Sequence, residues 1–214
     1  VVNVLYKTTA QNVSDAQIAS QIEVLNKDYS GTNTDISSVP SAFQLVKAGN
    51  TNVRFVLSKV VRKKTTKTSW TTNDAVKKST GILPTTPTTS LNIWVCNLSG
   101  GILGYAQFPG GSSATDGVVI DDNAFGTIGS VSAPFNKGRT ATHEVGHWLN
   151  LRHIWGDATC GSDLVSDTPL HNTANYGCPT SGHLSTCTGK PVEMTMNYMD
   201  YTDDACMYMF STGQ

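Results

Sequence analysis

The stretch HEVGHWLNLRH, residues 143–153, constrains the fold of this chain more than any other part of the sequence. In an α-helix, side chains four residues apart lie on the same face, one turn apart. His143 and His147 therefore direct both imidazoles toward one point if this stretch is helical. The apolar residues among them can bury the rest of the helix, so we predict a helix over residues 138–150.

His153 can join this pair only if the helix ends first. Ten residues of unbroken helix would carry it about 15 Å from His143. The chain must therefore turn sharply after Leu149, and such turns favour a residue in the left-handed conformation. Glycine suits that conformation best and asparagine comes next. Asn150 stands at the required position, so we predict a left-handed turn there.

Three imidazoles at one point are typical of a catalytic metal site. Zinc accepts imidazole nitrogens, and catalytic zinc sites use three protein ligands and leave a position for water. Glu144 directly follows the first histidine, where its carboxylate can reach that water and take its proton. A histidine pair alone would indicate only a solvent-exposed helix face. The glutamate and the turn-forming asparagine favour a zinc site with the ligands His143, His147 and His153.

A second motif near the end of the chain points to a family. Residues 196–201 read MNYMDY, which by itself indicates ordinary core packing. Together, HEVGHWLNLRH and NYMDYTDDACM resemble the metzincin metallopeptidases, and within that clan the pappalysin family. The metzincin pattern is HExxHxxGxxH followed by a methionine turn, and this chain has Asn150 in place of its glycine. The matching motifs cover about residues 138–210.

The resemblance implies an α+β fold of the zincin, or metzincin-like, type. A single catalytic domain would span residues 1–214. Its upper lobe, about residues 1–150, would hold a mixed twisted sheet with a backing helix and the active-site helix. Its lower lobe, about residues 151–214, would be irregular and stabilised by disulfides and calcium.

The same resemblance implies a secreted zinc metalloendopeptidase that acts on proteins or peptides as a monomer. Glu144 would be the general base for attack by zinc-bound water and then the proton donor to the leaving amine. Met199 would form a hydrophobic base beneath the metal. Tyr201 would help to stabilise the oxyanion, because a phenol donor strengthens its hydrogen bond as negative charge develops.

An oxygen-rich loop, residues 157–169, contains candidate calcium ligands. Calcium prefers six to eight oxygen ligands, but the spacing here does not match an EF-hand. The residues alone therefore leave a calcium site and a solvated acidic loop equally open, and the resemblance favours calcium. The candidate ligands are the side chains of Asp163, Asp167 and Thr168 and the carbonyl oxygen of Val165.

Four of the five cysteines lie in the last 55 residues, in loop-like sequence. Clustered cysteines of this kind indicate disulfides formed in an oxidising compartment. Four cysteines allow three pairings, and the resemblance implies Cys160–Cys187 and Cys178–Cys206. Cys96 ends an apolar run and is predicted to be a buried free thiol. His171 and His183, in the same loop region, are interpreted as surface histidines.

Substrate binding by a peptidase usually adds the substrate as a strand to an exposed sheet edge. The candidate edge is flanked by glycine and proline and consists of Leu103, Gly104, Tyr105, Ala106 and Gln107. Asp204, close to Tyr201, would favour a basic residue at P1′ because a carboxylate attracts arginine or lysine. A calcium ligand or a solvated turn remains an equally good interpretation of Asp204.

The remaining elements follow from periodicity and turn residues. Ser14 is a plausible N-cap for the first helix. The predicted helices cover residues 15–28 and 73–79, and the predicted strands cover residues 1–6, 53–61, 91–96, 102–108 and 118–120.

Charge and hydropathy exclude other classes. No apolar run approaches the roughly 20 residues that span a bilayer, so we expect no integral membrane protein. The net charge is −1, and the basic run Arg62-Lys63-Lys64 lacks the interleaved aromatics of a nucleic-acid site, so a solvated strand end is favoured. The rival hypothesis is a non-catalytic scaffold that retains the metal. Glu144 argues against it, because a scaffold without activity has little reason to keep this residue.

Overall fold

The computed structural model describes all 214 residues and is built on one five-stranded mixed sheet. The strand order is β2-β1-β3-β5-β4. The first four of these strands run parallel, and β4 is antiparallel to β5 at one edge. The strands are β1 (Val2–Tyr6), β2 (Val60–Lys64), β3 (Ile93–Cys96), β4 (Gly104–Ala106) and β5 (Val118–Asp121). The predicted α+β class with a mixed sheet is confirmed.

The sheet centre is buried because its strands are apolar on both faces. All four residues of β3 are buried, as are all four of β5. Apart from Asp121 at the end of β5, these are the continuous apolar runs expected of parallel strands covered on both sides. Trp94 is fully buried, and its indole Nε1 donates to the Ile82 carbonyl at 2.8 Å. Cys96 is a buried free thiol, as predicted.

Two α-helices accompany the sheet, α1 (Asp15–Ser30) and α2 (Arg139–Trp148). Ser14 caps α1, because its hydroxyl accepts from the Gln17 amide at 3.1 Å. Short 3-10 helices occur at Thr34–Ser38, Ser41–Phe43, Ala75–Lys77 and Ser113–Thr115. Neither α-helix has the length and apolar content needed to cross a membrane.

Two predicted elements were wrong. Residues 53–59 form no strand, and Val56 is 74% exposed. The β2 strand begins only at Val60, where it pairs with Val2 of β1, so the position of the partner strand sets its start rather than β-propensity. The helix predicted over residues 73–79 is only the single 3-10 turn Ala75–Lys77. Asp74 has φ 60°, which interrupts helical geometry just before that turn.

The basic run forms the exposed C-terminal end of β2, as predicted. Arg62 donates to the Val13 carbonyl and pairs with Asp15 at 2.5 Å. Lys63 Nζ donates to the Gly81 carbonyl at 2.6 Å. Arg62 and Lys63 are therefore held by partners in other segments of the same chain.

The chain divides into two compact units. The first unit contains residues 1–25 and 55–150 and includes the whole sheet and α2. The second unit contains residues 26–54 and 151–214, so residues 26–54 do not group with the upper lobe to which we assigned them. Apart from the end of α1 and two 3-10 turns, the second unit is irregular, with isolated bridges such as Asn197↔Met209.

The second unit has an apolar core of unusual composition. All five methionines of the chain lie in its residues 194–209, and all are buried. Phe210 packs between the rings of Tyr29 and Tyr198, with centroids 4.9 and 4.7 Å away. Unbranched methionine fills the uneven gaps between loops that lack a regular periodicity.

Candidate metal centre and active site

The helix that carries the first two histidines is buried almost throughout. Helix α2 begins after Gly138, whose φ is 75°, and ends at Trp148. His143 and His147 lie on one face with ring centroids 4.6 Å apart. At the far end, the Trp148 indole donates to Asp116 at 3.1 Å. The predicted helix is confirmed, although it is shorter at its C-terminus.

The turn after α2 has the predicted geometry. Asn150 has φ 82°, in the left-handed region, and its amide donates to the His147 carbonyl at 2.9 Å. The Leu149 amide donates to the Val145 and Gly146 carbonyls. These contacts satisfy carbonyls that a helix end would otherwise leave unpaired. The prediction for Asn150 is confirmed.

The turn brings the third imidazole back to the first two. The ligand nitrogens of His143, His147 and His153 all lie within 4.8 Å of one another. His143 and His147 are buried and His153 is partly exposed. Three converging imidazole nitrogens fit a divalent transition metal such as zinc, which accepts nitrogen ligands and retains an open position in catalytic sites.

His153 is held by neighbours that the sequence analysis did not identify. Its Nδ1 lies 2.5 Å from Asp157 Oδ1, which leaves Nε2 as the nitrogen for a metal. The Trp155 ring stacks on the imidazole at 4.3 Å, and the Tyr201 ring meets it edge-on at 4.8 Å. The spacing of four residues between His153 and Asp157 is the one signal in the sequence that indicates this pairing.

Glu144 lies next to the first histidine on α2 and is 7% exposed. Burial raises the pKa of its carboxyl to about 8, because desolvation disfavours the charged form. A carboxyl whose pKa lies near neutrality is suited to both accepting and donating a proton.

The methionine turn is fixed by hydrogen bonds that its backbone groups make to backbone and side-chain atoms of the second unit. Met199 is fully buried, and its carbonyl accepts from the Ile154 amide at 3.0 Å. Asn197 Oδ1 accepts from the Met199 amide at 2.9 Å. Tyr201 is 40% exposed, and its amide donates to Asp200 Oδ1 at 2.8 Å. This turn therefore lies close to His153 through both Ile154 and the Tyr201 ring.

His171 is not a surface residue, so that interpretation was wrong. It is fully buried, and its Nε2 accepts from the Met194 amide at 2.9 Å. Its Nδ1 faces Asp200 Oδ2 at 3.4 Å and Glu193 Oε2 at 3.7 Å. Asn175 Nδ2 donates to both carboxylates. The residues around His171 in the sequence are polar, which is typical of a solvated loop. In the structure, polar residues instead form a buried network around His171. His183 is exposed, so the interpretation as a surface histidine is confirmed for it.

The edge strand is shorter than predicted but lies at the predicted place. Strand β4 is the outer strand beyond β5. The Leu103 carbonyl accepts from the Asp121 amide at 2.8 Å, and the Gln107 amide donates to the Gly117 carbonyl at 3.1 Å. Hydrogen-bonding direction alternates along an antiparallel strand, so the backbone groups of residues 104 and 106 point away from β5.

The acidic loop gathers three of the four candidate calcium ligands. Thr168 Oγ1 donates to Asp163 Oδ1 at 2.8 Å and to the Val165 carbonyl at 3.0 Å. Burial raises the pKa of Asp163. The Asp167 carboxylate accepts from the Ser211 hydroxyl and from the Gly213 amide, at 2.6 and 2.7 Å.

Two disulfides join this part of the chain, Cys160–Cys187 and Cys178–Cys206, the pairing implied by the family resemblance. Asp204 is 1% exposed, which rules out the solvated turn. The neighbouring Asp203 amide donates to the Gly177 carbonyl at 2.9 Å, close in sequence to the Cys178–Cys206 bridge.

The family model and the sequence relatives that match this chain agree on a metallopeptidase family. The family model described as pregnancy-associated plasma protein-A, a peptidase family, matches residues 86–214. An extracellular metalloprotease of Arthroderma otae is 33% identical over 99% of this chain and 72% of that protein. An extracellular metalloprotease of Pyricularia oryzae is 36% identical over 96% of this chain and 66% of that protein.

Solved structures agree with the sequence relatives. Mirolysin in complex with a compound superposes with a TM-score of 0.94 and 47% identity, over 100% of this chain and 86% of that chain. Mature mirolysin of Tannerella forsythia, in complex with a cleaved peptide, superposes with a TM-score of 0.93 and 45% identity. The match covers 100% of this chain and 86% of that chain. With the three converging histidines, these matches establish that the chain belongs to the pappalysin family of metzincin metallopeptidases.

Proposed function

We propose that this protein is a secreted zinc endopeptidase that hydrolyses peptide bonds with Glu144 as its general base. The observation that carries the proposal is the convergence of the three imidazole nitrogens within 4.8 Å, with Glu144 buried beside the first of them. The three histidines would hold the metal. When bound there, zinc supplies the Lewis acidity that lowers the pKa of water and polarises a peptide carbonyl.

The protein groups have separate tasks in the proposed reaction. Glu144 takes a proton from the attacking water and later returns one to the leaving amine, so the proton count balances over the cycle. The Tyr201 hydroxyl donates to the oxyanion, a role supported by the packing of its ring on His153 at 4.8 Å. The outward backbone groups of β4 hold the substrate as an added antiparallel strand.

The test is cleavage of casein or a fluorogenic peptide by wild type, Glu144→Ala and Glu144→Gln, each with and without a zinc chelator. We expect the chelator to abolish activity and both variants to lose at least about a hundredfold in kcat. Glu23→Gln, on the exposed side of α1, is the matched control and should retain wild-type activity. Activity of Glu144→Ala equal to wild type would overturn the proposed mechanism.

The same experiment tests the rival scaffold hypothesis. A non-catalytic scaffold would bind zinc with the three histidines but cleave no substrate when fully loaded with metal. Zinc content measured on the purified protein distinguishes that result from simple metal loss.

We further propose that Asp204 favours arginine or lysine at P1′. The nearby Cys178–Cys206 disulfide supports this, since it restrains the segment that carries the carboxylate. A peptide library should show enrichment of basic P1′ residues that is lost in Asp204→Asn and kept in Asp203→Asn. A profile without basic preference, or one that Asp204→Asn leaves unchanged, would contradict this specificity.

A structural calcium ion in the acidic loop is also part of the proposal. The convergence of oxygens from Asp163, Val165 and Thr168 supports it, and calcium prefers such ligands. Added calcium should raise the Tm of wild type but not that of Asp163→Asn. An equal rise in both proteins would assign calcium to another place.

Secretion and a monomeric state complete the proposal. Relatives named extracellular metalloproteases and the two disulfides support an oxidising location. Detection of the natural protein in the culture medium tests the location, and sedimentation equilibrium tests the mass.

A further inference from the structure

Gly104 lies where the edge strand β4 passes the helix that carries Glu144. A Cβ atom built on Gly104 would lie 2.8 Å from Glu144 Cγ and 3.0 Å from Glu144 Oε1. It would also lie 3.0 Å from the Val119 carbonyl oxygen on β5. The side chain of Glu144 therefore occupies the space that any larger residue at position 104 would need.

Backbone conformation does not explain the glycine. Gly104 does not have a positive φ, unlike twelve other glycines of the chain, so its conformation is open to any residue. Its neighbours in the strand do carry side chains. The Tyr105 side chain packs on the opposite face, against the cluster around Trp94. The close approach of Glu144 is what distinguishes position 104.

This close approach places the carboxyl at the edge where a substrate would bind. Gly104 is paired opposite Ile120 of β5, at a position whose own N–H and C=O point away from β5. A substrate strand added to β4 would pair with these groups. The Glu144 carboxyl, in contact with the same residue, then lies beside the substrate backbone.

We infer that Gly104 is a positioning residue, whose missing side chain lets Glu144 pack against the substrate-binding edge in the geometry that proton transfer requires. The inference rests on the proposed role of Glu144 as general base. A side chain at position 104 pushes the carboxyl aside or moves β4 away from β5. A displacement of about 1 Å at a catalytic group can reduce the rate by about a hundredfold.

The first test is the kinetics of Gly104→Ala. We expect kcat to fall between about tenfold and a hundredfold. KM should stay within about twofold, because the outward backbone groups of β4 remain. Zinc affinity, measured by competition with a chromogenic chelator, should be unchanged. Gly49→Ala is the matched control, since a Cβ at Gly49 meets nothing within 4 Å and its φ is not positive.

The second test is a double-mutant cycle on thermal stability, which does not depend on activity. Gly104→Ala should lower Tm by several degrees in wild type and by less than half as much in Glu144→Ala, where Cγ and Oε1 are absent. If Gly104→Ala alone does not fold, the double variant Gly104→Ala/Glu144→Ala is expected to fold.

The outcomes distinguish a failure of the positioning role of Gly104 from a failure of the proposed function. An equal Tm loss in both backgrounds, or a Gly104→Ala enzyme with wild-type kcat, would overturn the positioning role of Gly104. A double variant that fails to fold would do the same. If Glu144→Ala keeps its activity while the stability coupling persists, the proposed function fails and the packing of Glu144 on Gly104 stands.

Discussion

The two units of this protein are stabilised in different ways. The first unit has a five-stranded sheet with a continuous apolar centre in β3 and β5. The second unit has no strand of its own and relies on two disulfides, buried methionines and the buried polar network around His171. A regular sheet satisfies its backbone by repetition, whereas an irregular chain needs a specific partner for each polar group.

This difference extends to the candidate metal ligands. His143 and His147 lie on a buried helix whose shape is set by local hydrogen bonds. His153 follows the turn after that helix and is held by stacking on Trp155 and by the exposed Asp157. We expect substitutions in the second unit to act through single contacts and those in the first unit through packing and burial.

The largest effect is expected from Asp200→Ala in the second unit. Asp200 is fully buried and accepts from the Asn175 and Tyr201 amides at 2.8 Å each. Removing the carboxylate leaves these donors and His171 unsatisfied, so the free energy of unfolding should fall by about 3–5 kcal/mol. Urea denaturation measures this, with Asp203→Ala as the control. Equal losses in the two variants would mean that the network adds nothing.

Removal of the Cys160–Cys187 disulfide should cost about 3–4 kcal/mol, since it closes a loop with a sequence separation of 27. In the Cys160→Ala/Cys187→Ala variant, hydrogen exchange should accelerate in the second unit while the amides of β3 and β5 stay protected. Cys96→Ala, at the free thiol of the first unit, is the control. Uniform loss of protection would show that the units unfold together and would weaken the comparison.

Asp122 should make the first unit lose stability as pH rises. Burial and the charge of Asp121 raise the pKa of Asp122 from 3.8 to about 6, and its Oδ1 is buried without a hydrogen-bond partner. The folded state therefore binds the proton more tightly than the unfolded state. The resulting stabilisation is present below about pH 4 and is lost as pH rises through 6, a change of about 3 kcal/mol.

Asp122→Asn removes this titration and should be more stable than wild type at pH 7, with a flatter pH dependence between pH 4 and 6. Denaturation curves at three pH values measure the difference. Asp15→Asn, at an exposed carboxyl, is the control. The prediction fails if wild type and Asp122→Asn have the same slope.

The smallest effect is expected from Asp157→Asn. Loss of the carboxylate beside His153 Nδ1 frees the imidazole orientation and lowers the basicity of Nε2. Zinc affinity should fall between about tenfold and a hundredfold, with little change in fold stability. Competition with a chelator measures it, and Asp203→Asn is the control. Unchanged affinity would show that stacking on Trp155 alone orients the third imidazole.

Much of the fold could be predicted where local signals were strong. Helix α2 follows from the spacing of His143 and His147, and the turn follows from the tolerance of Asn150 for the left-handed conformation. Both effects act within a few residues. The central strand β3 follows from its apolar run. The edge position of β4 follows from flanking glycine and proline. The start of β2 was missed because Val2 of β1, far away in sequence, determines where pairing begins.

The sequence by itself determined which groups come together at the candidate metal centre, because three histidines and the neighbouring glutamate have a fixed relation once one helix and one turn form. The tertiary structure alone decided two other features. It buried His171 between Glu193 and Asp200, and it left at Gly104 the space that Glu144 fills. Burial and close approach depend on elements packing across the chain, and no local pattern encodes those distances.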